Sequence, residues 1–119
     1  MALLGLPSQR RLKSRPQFDY VFDNNCGSRD KYFAVYARPN NEQGPRLGMV
    51  VSRRVSPRAV DRNRIKRQIR EDFRQSVAEL DDLDYVVVAR QAARRETGGK
   101  IRTSLQQHWD RLYKQCGNS

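Results

Sequence analysis

Nine Lys and Arg side chains lie between Arg46 and Arg70, at positions 46, 53, 54, 58, 62, 64, 66, 67 and 70, against the single acid Asp61. Cations at this density bind phosphate oxygens. Eight of the nine are Arg, whose planar fork meets two oxygens at once and whose face stacks on bases. The next fourteen residues reverse the sign, with six acids against Arg74. Ile65, Ile69, Phe73, Val77 and Leu80 recur through both segments at helical spacing, so one helix carries cations at its start and acids at its end. That placement opposes the helix dipole, at roughly 0.3–1 kcal/mol per charge. A polyanion bound at the N-terminal end removes the conflict, because the free backbone N–H groups and the arginines then bind the same phosphates.

At ~100° per residue the apolar face centres near Ile69, Phe73 and Leu80, and Asn63, Arg67, Arg70 and Arg74 form a row beside it. Arg62 falls almost on the apolar line. Two readings stay open there. In one, the first turn overhangs the sheet edge and Arg62 is solvated; in the other, Arg62 and Arg64 straddle a groove and hold RNA. A charge run by itself is a solvated face. The Arg bias, the helix start and the dipole conflict together favour the second reading.

Phosphodiester hydrolysis by the protein itself would need a metal site or a positioned acid and base. The one histidine, His108, sits beside Trp109 and reads as a surface or boundary residue. The acids at 79, 81, 82 and 84 read as a solvated helix end, because the calcium-loop spacing and its glycine are absent. Cys26 and Cys116 form neither a CxxC pair nor a metal-ligand spacing and are expected to be free thiols. No catalytic residue and no metal site are therefore expected. Phe18 and Phe22 are spaced as core residues, with a platform on which bases stack as the lesser alternative.

These side chains must be carried by a small fold. A length of 119 residues supports one compact domain, and a hydrophobic content of 37% supplies one shared core. Lys plus Arg number 24, of which 19 are Arg, against 13 Asp plus Glu, a net charge of +11, so nucleic acid is the first partner to consider. No apolar run approaches the ~20 residues that span a bilayer. The apolar start precedes the charges at Arg10, Arg11 and Lys13, the reverse of a signal peptide. A cytoplasmic protein is expected.

Residues 1–10 read as a flexible arm and residues 114–119 as a tail. Ser14 caps a short helix bearing Phe18, Val21 and Phe22 that stops near Asn24 or Gly27. Residues 31–37 and 47–52 read as strands paired antiparallel through the loop at Pro39 to Pro45, and any strand within residues 25–30 would be short. Ser56 and Pro57 predict the cap and first turn of the central helix, which runs through residue 80. Residues 81–84 end it, residues 85–89 form a buried strand, and residues 90–99 a polar connection. A last helix spans about residues 100–113, with Ile101, Leu105, Trp109 and Leu112 on one face. The reading is a single α+β domain of order αβββαβα, helices laid on a small, mostly antiparallel sheet.

Residues 59–71, Ala-Val-Asp-Arg-Asn-Arg-Ile-Lys-Arg-Gln-Ile-Arg-Glu, resemble the signature of the bacterial ribonuclease P protein subunit, in which an Arg-Asn-Arg motif opens a central helix. The flanks are similar as well: Phe18 and Phe22 on a first helix, Tyr36 on a strand, residues 47–54 ahead of the motif and residues 84–90 after it. The similarity covers about residues 8–113. Gln17 stands where acids are common in the family, and Pro57-Arg58 where glycine and asparagine are. The resemblance implies a protein cofactor for a catalytic RNA that removes 5′ leaders from precursor transfer RNA. It implies that the RNA performs the hydrolysis, with Mg2+ bound mainly by the RNA subunit and substrate. Arg53, Arg54, Arg62, Asn63, Arg64, Lys66, Arg67 and Arg70 would face the RNA subunit. Phe18, Phe22, Tyr36 and Ser52 would line a leader cleft between the first helix and the sheet. It further implies a left-handed strand–helix–strand crossover around the motif helix, against the roughly 98% right-handed rule, with no requirement for a protein oligomer.

Two rival readings share the composition: a ribosomal or chaperone-type RNA-binding protein with no enzyme partner, and a self-sufficient nuclease. Cleavage of precursor transfer RNA with and without the catalytic RNA separates the three.

Overall fold

The computed structural model describes residues 10–23, 26–40, 44–76, 82–96 and 98–117. Ser14 starts the first helix, α1 (Arg15–Asp23), through a reciprocal capping box. The Gln17 N–H donates to the Ser14 hydroxyl at 3.4 Å, and Gln17 Oε1 accepts the N–H groups of Ser14 at 3.1 Å and Lys13 at 2.6 Å. Gln17 thus fills the role that its acidic counterpart would serve. Four strands follow, β1 (Cys26–Arg29), β2 (Phe33–Pro39), β3 (Arg46–Val50) and β4 (Leu83–Ala89), with α2 (Ala59–Ser76) between β3 and β4 and α3 (Gly98–Leu112) last.

The strand order is β1-β2-β4-β3. The β1/β2 and β2/β4 pairs are antiparallel and β3/β4 is parallel, so the expected antiparallel pairing of β2 with β3 is incorrect. The physical reason lies in β4, whose residues are buried at every position but Val88. A strand covered on both faces belongs at the centre of a sheet. β3, with Arg46 and Gly48 among its five residues, takes the edge.

Side chains alternate between two faces. Phe33, Val35, Ala37, Leu47, Leu83, Tyr85 and Val87 join Ile65, Ile69 and Phe73 of α2 and Ile101, Leu105, Trp109 and Leu112 of α3 in the main core. The Phe73, Tyr85 and Trp109 rings meet pairwise edge to face at 5.5–5.6 Å. On the other face Val21 of α1 and Leu12 pack on Val86.

Several element boundaries differ from the sequence reading. Ser56 does not cap α2: the Arg62 N–H bonds the Arg58 carbonyl at 3.2 Å, which makes Arg58 the cap residue and puts Pro57 outside the helix. The Ser56 hydroxyl accepts the Arg58 N–H at 3.1 Å and donates to Asp61 at 2.8 Å, closing a turn ahead of the helix. Leu83 and Asp84 belong to β4. Asp84 is buried, because Arg46 clamps both its oxygens at 2.7 and 2.8 Å and Asn40 adds a bond at 2.8 Å. A 3-10 turn, Gln91–Arg95, precedes α3, and a π-type turn, Tyr113–Gly117, stands where a tail is expected, bringing Cys116 against the core. Cys26 and Cys116 are free thiols. Of the expected arm at residues 1–10 all but Arg10, and the end of the central helix at residue 80, lie outside the described residues.

His108 is fully buried, not at the surface. Its Nδ1 meets the Ser28 hydroxyl at 2.7 Å and its Nε2 lies 3.3 Å from Asp30. The topology supplies partners that its neighbours in sequence do not. Burial lowers its pKa, against the opposing pull of Asp30. Asp30 is itself held below the ordinary carboxylate range: burial would raise it, but bonds from the Ser104 hydroxyl and the Phe33 and Tyr32 N–H groups outweigh that.

Candidate nucleic-acid interface

One register row crosses the sheet from Gly27 through Tyr36 and Val86 to Gly48, and α1 lies along it. Phe18 sits on Gly48, Val21 on Val86, and Phe22 stacks edge to face on Tyr36 at 5.4 Å. The far end of α1 is tied to β2, where the Tyr20 hydroxyl donates to the Pro39 carbonyl at 3.2 Å. Arg38 in turn donates to the Tyr20 carbonyl at 2.8 Å and covers its ring at 3.7 Å. One helix of nine residues covers only this row. The next, Ala34–Val88–Val50, is left beside it with Val50 and Val88 half exposed.

The result is a cleft with an apolar floor at Val50 and Val88 and an aromatic wall formed by Phe18, Tyr36 and the 39% exposed Phe22. The Arg38–Tyr20 and Arg46–Asp84 contacts close one end. The other end opens where β3 runs into the exposed residues Ser52, Arg53 and Arg54. The Ser52 hydroxyl accepts the Arg54 N–H at 3.2 Å. Aromatic faces beside a cationic rim bind single-stranded nucleic acid with little regard to sequence. Val50 and Val88 are members of this surface that sequence reasoning missed. Gly48 was their signal, since glycine inside a strand marks close approach of another group.

The basic motif lies on α2, which packs on the opposite face of the sheet. Asn63 and Arg67 are exposed, and Lys66 and Arg70 half exposed. Arg62 is half buried and donates to the Ser56 carbonyl at 3.0 Å; Arg64 donates to the Arg94 carbonyl at 2.9 Å. Arg62 is therefore not simply solvated: its guanidinium ties the helix to the preceding loop. Asp61, the lone acid among these cations, has a lowered pKa because the Ser56 hydroxyl donates to it, with Arg58, Arg94 and Arg64 adding to the effect. The structure therefore gathers Arg53, Arg54, Asn63, Lys66, Arg67 and Arg70 as outward polar groups, with Arg62 and Arg64 partly committed to the fold. Among the described residues no group of three or more His, Cys, Asp or Glu converges as a metal site, and none of the helices is long and apolar enough to cross a membrane.

The family model for ribonuclease P matches residues 6–113. A ribonuclease P protein component from Methylococcus capsulatus is 44% identical over 115 residues, covering 97% of this chain and 90% of that one. The corresponding protein of Thioalkalivibrio sulfidiphilus is 39% identical over 114 residues, covering 96% and 95%. The structure is similar to that of the Staphylococcus aureus RNase P protein, with a TM-score of 0.74 and 32% identity over 88% of this chain and 93% of that one. It is equally similar to the Thermotoga maritima protein, at a TM-score of 0.74 and 30% identity over 90% and 98%.

Proposed function

The chain belongs to the ribonuclease P protein family, the protein component of an endoribonuclease, and from that premise we propose how its two surfaces divide the work. The cleft under α1 binds the single-stranded 5′ leader of precursor transfer RNA, with Phe18, Phe22 and Tyr36 stacking on bases and Ser52 at its mouth. Asn63, Lys66, Arg67 and Arg70 of α2, with Arg53 and Arg54 of the turn ahead of it, bind phosphates of the RNA subunit, beside the partly committed Arg62 and Arg64. The protein acts in the cytosol and needs no second copy of itself.

Hydrolysis falls to the RNA, with Mg2+ held by RNA and substrate. Mg2+ keeps several waters and takes phosphate oxygens readily, and RNA and substrate supply those phosphates. The protein's part is to position: a leader held on the apolar strip is fixed relative to the RNA subunit held by α2. The observation that carries this reading is the partly exposed Val50–Val88 strip beside the Phe18, Phe22 and Tyr36 rings, a surface that matches unpaired bases better than duplex.

Mixing the chain with precursor transfer RNA, with and without the catalytic RNA, while varying magnesium and salt, tests it. Acceleration of RNA-only cleavage is expected. Cleavage without the catalytic RNA would establish a self-sufficient nuclease, and no acceleration would leave a non-enzymatic RNA-binding protein.

A further inference from the structure

We propose that the depression between the ends of the two parallel strands is a second phosphate-binding site for the RNA subunit, and that Arg64 is the positioning residue that builds it. The inference rests on the RNA-cofactor reading above. Because β3 and β4 are parallel, the turn at Ser52–Val55 and the 3-10 turn Gln91–Arg95 leave the sheet at the same end. Between them lies a depression of 410 Å³ lined by Arg54, Val55, Gln91, Ala92, Arg94 and Arg95. It holds three guanidinium groups and no carboxylate.

The turn is fixed from below. Ala93 is fully buried and its N–H bonds the Arg90 carbonyl at 3.0 Å. Arg64 holds the Arg94 carbonyl, and the Arg94 guanidinium lies 3.7 Å from Asp61, which Ser56 holds in turn. Two residues of the motif helix, Asp61 and Arg64, thus set where Arg94 and Arg95 stand. Arg54 and Arg95 are exposed, and neither has a carboxylate partner among the described residues. Asp61 offsets Arg94 but leaves the charges of Arg54 and Arg95 on the same depression, and a phosphodiester meets the Arg fork with two charge-assisted hydrogen bonds. The turn packs on α2, across the sheet from Phe18 and Tyr36, so the site extends the motif surface and not the leader cleft.

The test measures affinity of Arg54→Gln, Arg95→Gln, Arg67→Gln and Lys114→Gln proteins for the catalytic RNA alone and for precursor transfer RNA alone, across salt. If each depression arginine contacts one phosphate, log affinity loses about 0.7–0.9 of its slope against log salt. The deficit of Arg54→Gln and Arg95→Gln relative to wild type is then about threefold smaller at 200 mM salt than at 50 mM, on the catalytic RNA only, and Lys114→Gln leaves the slope unchanged. Arg64→Lys keeps the charge but loses the fork that holds Arg94, so Arg95→Gln should cost clearly less in the Arg64→Lys background than in wild type. Wild-type slopes in Arg54→Gln and Arg95→Gln with a reduced slope in Arg67→Gln would overturn the site while leaving the RNA-cofactor reading intact. A loss confined to precursor transfer RNA would overturn its assignment to the RNA subunit, and additive effects of Arg64→Lys and Arg95→Gln would overturn the positioning role. Failure of the wild-type chain to bind or stimulate the catalytic RNA would overturn the reading itself.

Discussion

Gly48 lies directly beneath Phe18: a Cβ on that glycine would stand 2.6 Å from the ring's Cζ and 2.7 Å from Cε2. The ring's height above β3 is therefore set by the absence of a side chain. Gly48→Ala should displace the Phe18 wall at a cost of up to ~1–3 kcal/mol from overpacking. Discrimination between precursor and mature transfer RNA should fall, with affinity for the catalytic RNA kept. Binding titrations of the three RNAs check it, and unchanged discrimination would detach the ring's position from leader contact.

Phe22 tests the cleft more cleanly than Phe18 or Tyr36. Phe18 and Tyr36 both pack against the cluster of Leu12, Val21 and Val86, so Phe18→Ala and Tyr36→Ala should also lower the melting temperature. Phe22→Ala should lose ~1–3 kcal/mol of leader affinity per base unstacked while melting close to wild type. Equal losses toward precursor and mature substrates would return the ring to a packing role.

The motif arginines should separate by where their guanidinium groups go. Arg67 is exposed and has no acid partner among the described residues, so Arg67→Ala should weaken RNA binding and leave thermal stability nearly unchanged. Arg64→Ala removes the donor to the Arg94 carbonyl, a loss of roughly 0.5–1.5 kcal/mol. Differential scanning calorimetry of the two free proteins distinguishes them, and identical melts would show that the Arg64 bond contributes nothing.

His108 predicts an acid sensitivity. Its folded pKa is lowered by burial, so near its ordinary value of about 6.5 the unfolded chain binds the proton more readily. Stability is then fully present above that pH and falls as pH drops toward the folded value, by at most ~1.4 kcal/mol per unit. Asp72 acts oppositely: burial raises its pKa although the Trp109 N–H donates to it, so its contribution grows as pH falls. The difference between wild type and His108→Gln isolates the histidine. Melting temperatures from pH 7.5 to 5 should decline more steeply in wild type, and parallel curves would exclude the mechanism.

The helices and strands were legible because their periods are local. Ser14 and Phe18, Val21 and Phe22 define α1 without reference to anything distant, and the Arg-rich start of α2 points by composition to the phosphate surface proposed for it. Pairing was not legible: β2 and β3 are consecutive, and consecutive strands are neighbours about two-thirds of the time. Only the all-round burial of β4 shows that it lies between them. His108 was misplaced for the same reason, because Ser28 and Asp30 are 80 and 78 positions away. Val50 and Val88 look like ordinary core residues until the short length of α1 leaves them partly uncovered. The commitment of Arg62 and Arg64 to backbone carbonyls depends on a loop and a turn whose paths no spacing rule reveals.

The central place of β4 bears on how the chain matures during synthesis. Among the described residues β3 has no strand partner other than β4 and otherwise meets only the bridge of Arg11 to Leu47, so when residues 46–50 leave the ribosome that single bridge is all the pairing open to them until residues 83–89 follow. Only β1 and β2 can form an early hairpin, and an isolated hairpin is at best marginally stable in water. The strip at Val50 and Val88 and the depression at the ends of β3 and β4 come into being in the same event, the insertion of β4. A fragment ending at Asp82 should remain open to protease and lack both the proposed leader cleft and the proposed depression. Those two surfaces arise together and late, after the arginines of α2 have already left the ribosome.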